Sequence, residues 1–185
     1  MKLTLALFVA TALIYFFIGK VASIKTYGID VADRFVERLT YIPSETKSLL
    51  TRDSLAKWLA DPRNANAAAG YVFPVLFPLD LLFLILLGAL LGVASTALAS
   101  ELAMLAAIPG IIWWILPLLY LVSDLAEDTL MAGIFKSLVP LSDAWFRVLR
   151  ILTRTKIASL TAAFSQVGFL GILCVLLRIF PAGHA

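Results

Sequence analysis

The stretch YVFPVLFPLDLLFLILLGALL, residues 71–91, is apolar throughout except for one acid, Asp80. The apolar run continues to residue 122, and Glu101 is the only other charged side chain within it. About 20 apolar residues cross the hydrocarbon core of a bilayer, so a run of this length is too long for one span. It predicts two membrane-spanning helices joined by a short connection.

The composition of the whole chain agrees with this prediction. Of 185 residues, 62% are hydrophobic and 15% are charged, whereas soluble domains are about half apolar and a quarter charged. Four apolar segments predict four spans, at about 3–22, 72–94, 105–125 and 157–180. We therefore expect an all-α integral membrane protein, a four-transmembrane-helix bundle forming a single membrane domain over residues 1–185.

The first segment also has features of a secretory signal, namely Lys2, an apolar core and small residues at 21–23. Its core is longer than the 7–15 residues of a signal and carries bulky aromatics to its end. We therefore expect it to be kept as a span, with cleavage as the alternative.

The basic residues predict the orientation. Thirteen of the fifteen Lys and Arg residues lie in the stretches 20–70 and 124–156, and the other two are Lys2 and Arg178. The positive-inside rule then places both long loops in the cytoplasm and both termini outside, in a multi-pass protein of the cell (inner) membrane.

Short amphipathic helices are predicted within both loops. In residues 29–61 apolar positions recur at helical spacing, with Ser44 and Asp53 as candidate N-caps. In residues 142–153 Trp145 lies on an apolar face, opposite Arg147 and Arg150. Such a helix is typical of the membrane interface, with arginines toward anionic headgroups, although packing on the other loop segments is the alternative.

Charged residues of three predicted spans fall at one level of the membrane. Asp80 lies about 12 Å into the second span, counted at 1.5 Å per residue. Asp124, Glu127 and Asp128 share one helical face at the end of the third span, and Arg154 and Lys156 begin the fourth. We expect this intramembrane polar cluster to be stabilised by pairing of acids with bases, or by protons shared between acids.

The depth of the acids depends on where the third span begins. If Trp113 and Trp114 mark the outer interface, the span runs from about Pro109 to about residue 132 and the acids are intramembrane. If it begins near residue 102, they are juxtamembrane.

Other signals are weaker. Gly88 and Gly92 form a G-x-x-x-G pattern, which permits close helix packing within the chain or in a homodimer. Cys174 lies in an apolar run and His184 is next to last, so no Cys/His metal site is expected. The chain has no P-loop, G-x-S-x-G, H-E-x-x-H or dinucleotide-binding motif, and we predict no catalytic residues and no cofactor.

Four stretches resemble a family of uncharacterised four-span bacterial membrane proteins: YIPSETKSLL, YVFPVLFPLDLLFLILLG, LPLLYLVSDLAEDTLMAGIF and LTRTKIASL. Asp128 stands where that family usually has asparagine. The resemblance implies Asp80, Asp124, Glu127 and Lys156 as site residues, and it implies no activity.

Three functions are compatible with the sequence. The first is a structural or accessory membrane protein, whose partners are membrane lipids and another membrane protein or a second copy. The second is a proton- or cation-coupled carrier that uses Asp80 and the acids of the third span. The third is a lipid-acting membrane enzyme, although the missing motifs favour a non-catalytic role. Nothing in the sequence indicates binding of nucleic acid.

Overall fold

The structure is a computed structural model, and it describes residues 2–28, 51–105 and 107–179. These residues form helices and connecting turns, with no strand among them. Four helices in the described ranges are long and apolar enough to cross a membrane: Lys2–Lys25, Pro62–Ser100, Gly110–Phe135 and Asp143–Ile179. The chain is therefore an all-helical protein compatible with a multi-pass membrane location.

Helix α1, Lys2–Lys25, leaves most of its apolar side chains uncovered. Phe8, Phe16 and Phe17 are more than half exposed, and Thr11 is the one buried residue along its length. A helix that is apolar on every side and poorly covered by protein is suited to contact with lipid. Near its end, Ile18 packs against the protein core.

Short helices precede the second span. Helix α2, Arg52–Ala60, begins at Thr51, whose side chain accepts a hydrogen bond from the backbone N–H of Ser54, while Ser54 caps Thr51 in return. The expected cap Asp53 instead lies in the first turn of α2, so that expectation was wrong. A 3-10 turn, Pro62–Asn64, and helix α3, Ala65–Gly70, follow. The predicted helices between residues 29 and 50, including the Ser44 cap, lie outside the described residues.

The second span is interrupted before Asp80. The segment Tyr71–Asp80 is wound as a π-helix, and Phe73 and Phe77 within it have extended backbone angles. Each of these residues precedes a proline, which disfavours the helical conformation of the residue before it. Regular helix resumes as α4, Leu81–Ser100, so the helical run is longer at both ends than the predicted 72–94.

The third span begins after Pro109. A 3-10 turn, Gly110–Trp114, leads into helix α5, Ile115–Phe135. These bounds are close to the alternative of about 109–132 that Trp113 and Trp114 indicated, and later than 105–125, so the acids lie inside the helix and not at its end. A Cβ atom at Gly88 would lie 3.3 Å from Leu121, and one at Gly92 would overlap the Trp114 ring, so both glycines face the third span.

The fourth span is part of a single long helix. Helix α6 runs without interruption over 37 residues, Asp143–Ile179, and joins the predicted loop helix at 142–153 to the predicted span at 157–180. No glycine or proline occurs between residues 143 and 167, so nothing ends the helix between them. At 1.5 Å per residue, α6 is about 55 Å long, which exceeds the hydrocarbon thickness of about 30 Å.

The helices pack through three apolar layers. The first contains Leu76 of the second span, Met131 of α5 and Leu149 of α6. The second is built around Leu84 of α4, Tyr120 of α5 and Ala163 of α6. The third lies toward the other end and is formed by Ala99, Leu102, Leu170 and Cys174. Between the residues named for the first two layers, the helices run for about two to four turns.

Candidate functional site

The turns between the first two apolar layers carry the charged side chains. Asp80 lies between Leu76 and Leu84, the three acids of α5 lie between Tyr120 and Met131, and Lys156 lies between Leu149 and Ala163. We call Asp80, Asp124, Glu127, Asp128 and Lys156 the buried charge cluster. Because apolar layers flank the cluster on both sides, its charges are held away from both ends of the spans.

Lys156 joins α6 to α5 through two carboxylates. Its Nζ lies 2.6 Å from Oδ1 of Asp124 and 3.0 Å from Oε2 of Glu127. Residues three apart on a helix are neighbours on its surface, so one ammonium group reaches both acids. The Lys156 side chain is 16% exposed, and those of Asp124 and Glu127 are 4% and 0% exposed. These are buried ion pairs, which unlike surface pairs have little water to replace a lost partner.

Thr153 completes the contacts of Glu127. Its hydroxyl donates to Oε1 of Glu127, and the carbonyl oxygen of Leu149, at 3.0 Å, is its alternative acceptor. Thr153 is fully buried, one turn before Lys156 on the same face of α6. Thr153 was not among the predicted site residues, although its spacing of three from Lys156 indicates that it shares the same face.

The remaining acids form a carboxylate group beside the lysine. Oxygen atoms of Asp80, Asp124 and Asp128 all lie within 4.8 Å of one another. Asp128 is 2% exposed, and its Oδ2 atom is buried without a hydrogen-bond partner. The Tyr120 hydroxyl lies beside the Asp124 carboxylate, and Tyr120 is itself 1% exposed.

Acids outnumber bases in the cluster. Four carboxylates surround one ammonium group, and Lys156 makes ion pairs with two of them. Asp80 and Asp128 have no ion pair within the described ranges. An uncompensated carboxylate in a region of low dielectric is costly, so these two groups need a proton, a cation or water.

Arg154 does not join the cluster. Its side chain is exposed, and no ion pair links it to an acid in the part of the chain that the structure describes. It lies two residues from Lys156, which places it about 200° around the helix and on the opposite side of α6. Only one of the two predicted bases therefore reaches the acids.

The outer side of α6 carries the predicted lipid-facing residues. Trp145 and Arg147 are exposed and Arg150 is partly exposed, while Phe146 and Leu149 of the same helix are buried in the first apolar layer. The segment is thus packed on the protein through one face and uncovered on another. Contact of the uncovered face with lipid stays a prediction.

A second polar contact ties the same three spans together nearer the other end. The side-chain amide of Gln166 on α6 donates to Oγ of Ser95 on α4, at 2.8 Å, and to the carbonyl oxygen of Trp113, at 3.0 Å. Gln166 was not among the predicted site residues. At that end Arg178 also pairs with Glu101 at 3.1 Å, and both side chains are more than half exposed.

The chain matches no family model, no curated protein and no solved structure. The resemblance to a four-span family therefore stays a prediction, based on the sequence motifs alone.

Proposed function

We propose that this is a structural or accessory membrane protein whose buried charge cluster holds the spans together. The observation that carries the proposal is the double pairing of Lys156 with Asp124 and Glu127. One side chain of α6 is thereby joined to two successive turns of α5. Because both partners are buried between apolar layers, the contact specifies one relative position of the two helices.

A charge-swap experiment tests this role. Glu127→Lys and Lys156→Glu each place two like charges in contact and should lower the yield of folded protein. The double variant restores opposite charges across the same gap and should recover most of that yield. Glu101→Lys, at an exposed pair near the other end, is the matched control for the single change. If the single variants accumulate and fold like the control, the cluster does not hold the helices together.

The accessory part of the proposal predicts a partner. A membrane protein without its own catalytic motif is expected to act on another chain or on a second copy of itself. Mild detergent extraction followed by affinity purification should recover such a partner in a constant ratio. A strictly monomeric particle, with nothing co-purifying from several detergents, would contradict an accessory role.

The second candidate is a proton- or cation-coupled carrier. Two observations favour it: the excess of acids in the cluster, and the interruption of the helix at Phe73 and Phe77 just before Asp80. Interrupted spans are frequent at the ion and substrate sites of carriers, because irregular backbone exposes carbonyl groups at membrane depth. The lipid-acting enzyme predicted as a third role gains no comparable observation.

Proteoliposome flux separates the carrier from the structural role. Intact protein and the Asp80→Asn variant are reconstituted with a pH-sensitive dye inside the vesicles, and cations are added outside. A carrier gives proton or cation movement that Asp80→Asn abolishes and that Glu101→Gln leaves unchanged. The absence of any flux with correctly folded protein would leave the helix-tying role as the better explanation.

The orientation is part of the proposal. The thirteen basic residues in the two long stretches support a cytoplasmic location for both loops. Cysteine labelling tests it, with Lys136→Cys placed in a chain whose own Cys174 is changed to serine. An impermeant thiol reagent added outside intact cells should leave this cysteine unlabelled and should label it once the cells are opened. Labelling in intact cells would reverse the orientation.

A further inference from the structure

The carboxylate oxygens beside Lys156 are arranged like the ligands of a cation. Asp80, Asp124 and Asp128 each offer one oxygen atom, and these atoms lie within 4.8 Å of one another. In a cation site with oxygen ligands at 2.0–2.6 Å, opposite ligands are separated by about 4–5 Å. Three carboxylates at this spacing therefore fit around one small ion.

The burial of Asp128 points to a missing ligand. Its side chain is nearly inaccessible to water and lies within hydrogen-bonding reach of the Asp80 carboxyl group, yet its Oδ2 atom has no donor among the other side chains. Buried polar atoms almost always have a partner, and an exception in a cluster of ligand atoms indicates an ion or water that completes it. Asp128 is not among the acids that Lys156 pairs with, so the lysine does not supply this partner.

Charge balance supports the same conclusion. With the single ammonium group of Lys156 against four carboxylates, the fully ionised cluster carries a large negative charge between two apolar layers. A divalent cation would neutralise most of that charge. A monovalent cation would leave more of it uncompensated.

The backbone next to Asp80 is suited to ion binding. The segment Tyr71–Asp80 departs from regular helix at Phe73 and Phe77, and it contains Pro74 and Pro78, which have no N–H group. Because a proline nitrogen cannot donate, the carbonyl groups one turn before Pro74 and Pro78 lose their usual helical donor. The site thus combines carboxylates from two spans with irregular backbone in one of them.

We propose that Asp80, Asp124 and Asp128 bind one hard divalent cation of the Mg²⁺ class between the second and third spans. Oxygen-only ligands favour Mg²⁺, Mn²⁺ or Ca²⁺ over zinc or copper, which prefer nitrogen or sulfur. Mg²⁺ keeps several waters and usually takes one or two carboxylates, and Ca²⁺ takes six to eight oxygen ligands, so three carboxylates leave room for water around either ion. This binding site goes beyond the helix-tying role and does not depend on it.

Direct binding of Mn²⁺ to the full chain in detergent tests the proposal. Mn²⁺ replaces Mg²⁺ at oxygen sites, and its free form has an electron paramagnetic resonance signal that is lost on binding. The expected result is about one bound Mn²⁺ per chain, displaced by excess Mg²⁺. Asp80→Asn should weaken binding by more than about tenfold, since it removes a ligand charge without touching the ion pairs of Lys156.

Two further variants make the result decisive. Glu101→Gln removes an exposed acid near the other end and should bind Mn²⁺ like the intact protein. Asp128→Asn should also weaken binding, but Asp80→Asn and the intact chain suffice if that variant does not fold. If the intact, folded chain binds no more Mn²⁺ than Asp80→Asn, a shared proton rather than a cation holds the acids together and the proposal is wrong.

Discussion

Replacing Lys156 with methionine removes the only ammonium group of the buried charge cluster while keeping a side chain of similar length. The change leaves Asp124 and Glu127 without their partner, at positions where their side chains are 4% and 0% exposed. Breaking a buried pair by removing one partner typically costs about 3–5 kcal/mol. Each 1.4 kcal/mol is a factor of ten, so the unfolding equilibrium should shift by about 100- to several thousand-fold.

The matched control is Arg178→Met. Arg178 pairs with Glu101 at 3.1 Å, a distance like those at Lys156, but the two side chains are 75% and 59% exposed. Exposed pairs contribute about 0–1 kcal/mol, because water and salt replace the lost partner. The two variants therefore compare the same kind of charge removal at different burial.

The free energy of unfolding is measured in bicelles by denaturant titration, with far-ultraviolet circular dichroism as the signal for helix content. Adding Glu127→Gln to Lys156→Met removes one of the two uncompensated charges and should recover part of the loss. If Lys156→Met is no less stable than Arg178→Met, water or protons compensate the acids as well as the lysine does, and the cluster does not hold the helices together.

Three further changes test other contacts, each by the same unfolding measurement. Thr153→Ala should cost about 1–3 kcal/mol because a buried carboxylate oxygen loses its donor, whereas Thr153→Ser should retain most of the stability. Gln166→Leu should cost about 0.6–1.7 kcal/mol, the range of hydrogen bonds between membrane helices, and an unchanged stability would show that this contact is not made. Gly92→Ala should cost about 1–3 kcal/mol because its methyl group would overlap the Trp114 ring, whereas Gly171→Ala has open space and should be nearly neutral. Equal effects at the two glycines would contradict the close packing of the second and third spans.

Much of the site could be predicted by counting residues along the spans. Helical spacing places Asp124, Glu127 and Asp128 on one face, and apolar length alone indicates that Asp80 lies inside the second span. The choice between Arg154 and Lys156 was also open to sequence reasoning. The apolar residues Trp145, Leu149 and Leu152 recur at spacings of four and three, and Lys156 continues that series whereas Arg154 does not.

Other features depend on tertiary packing and could not be predicted in this way. A proline inside a span permits a bend, but Pro74 and Pro78 alone do not predict that the backbone departs from helix at both preceding residues. The predicted division of α6 at about residue 154 rested on a change in polarity. Side-chain polarity indicates whether a segment faces water or lipid. A helix ends where a proline, a glycine or a capping residue interrupts its backbone hydrogen bonds. The sequence left the start of the third span open between Pro109 and about residue 102, and the helix begins after Pro109.

The unbroken length of α6 has a mechanical consequence. Thirteen residues, about 20 Å of helix, separate Lys156 from the start of α6 at Asp143. Because α6 is one continuous helix, a rotation of the helix that separates Lys156 from Asp124 also moves the exposed Trp145 side chain. The indole fluorescence of Trp145 should therefore change when the ion pair between Lys156 and Asp124 breaks.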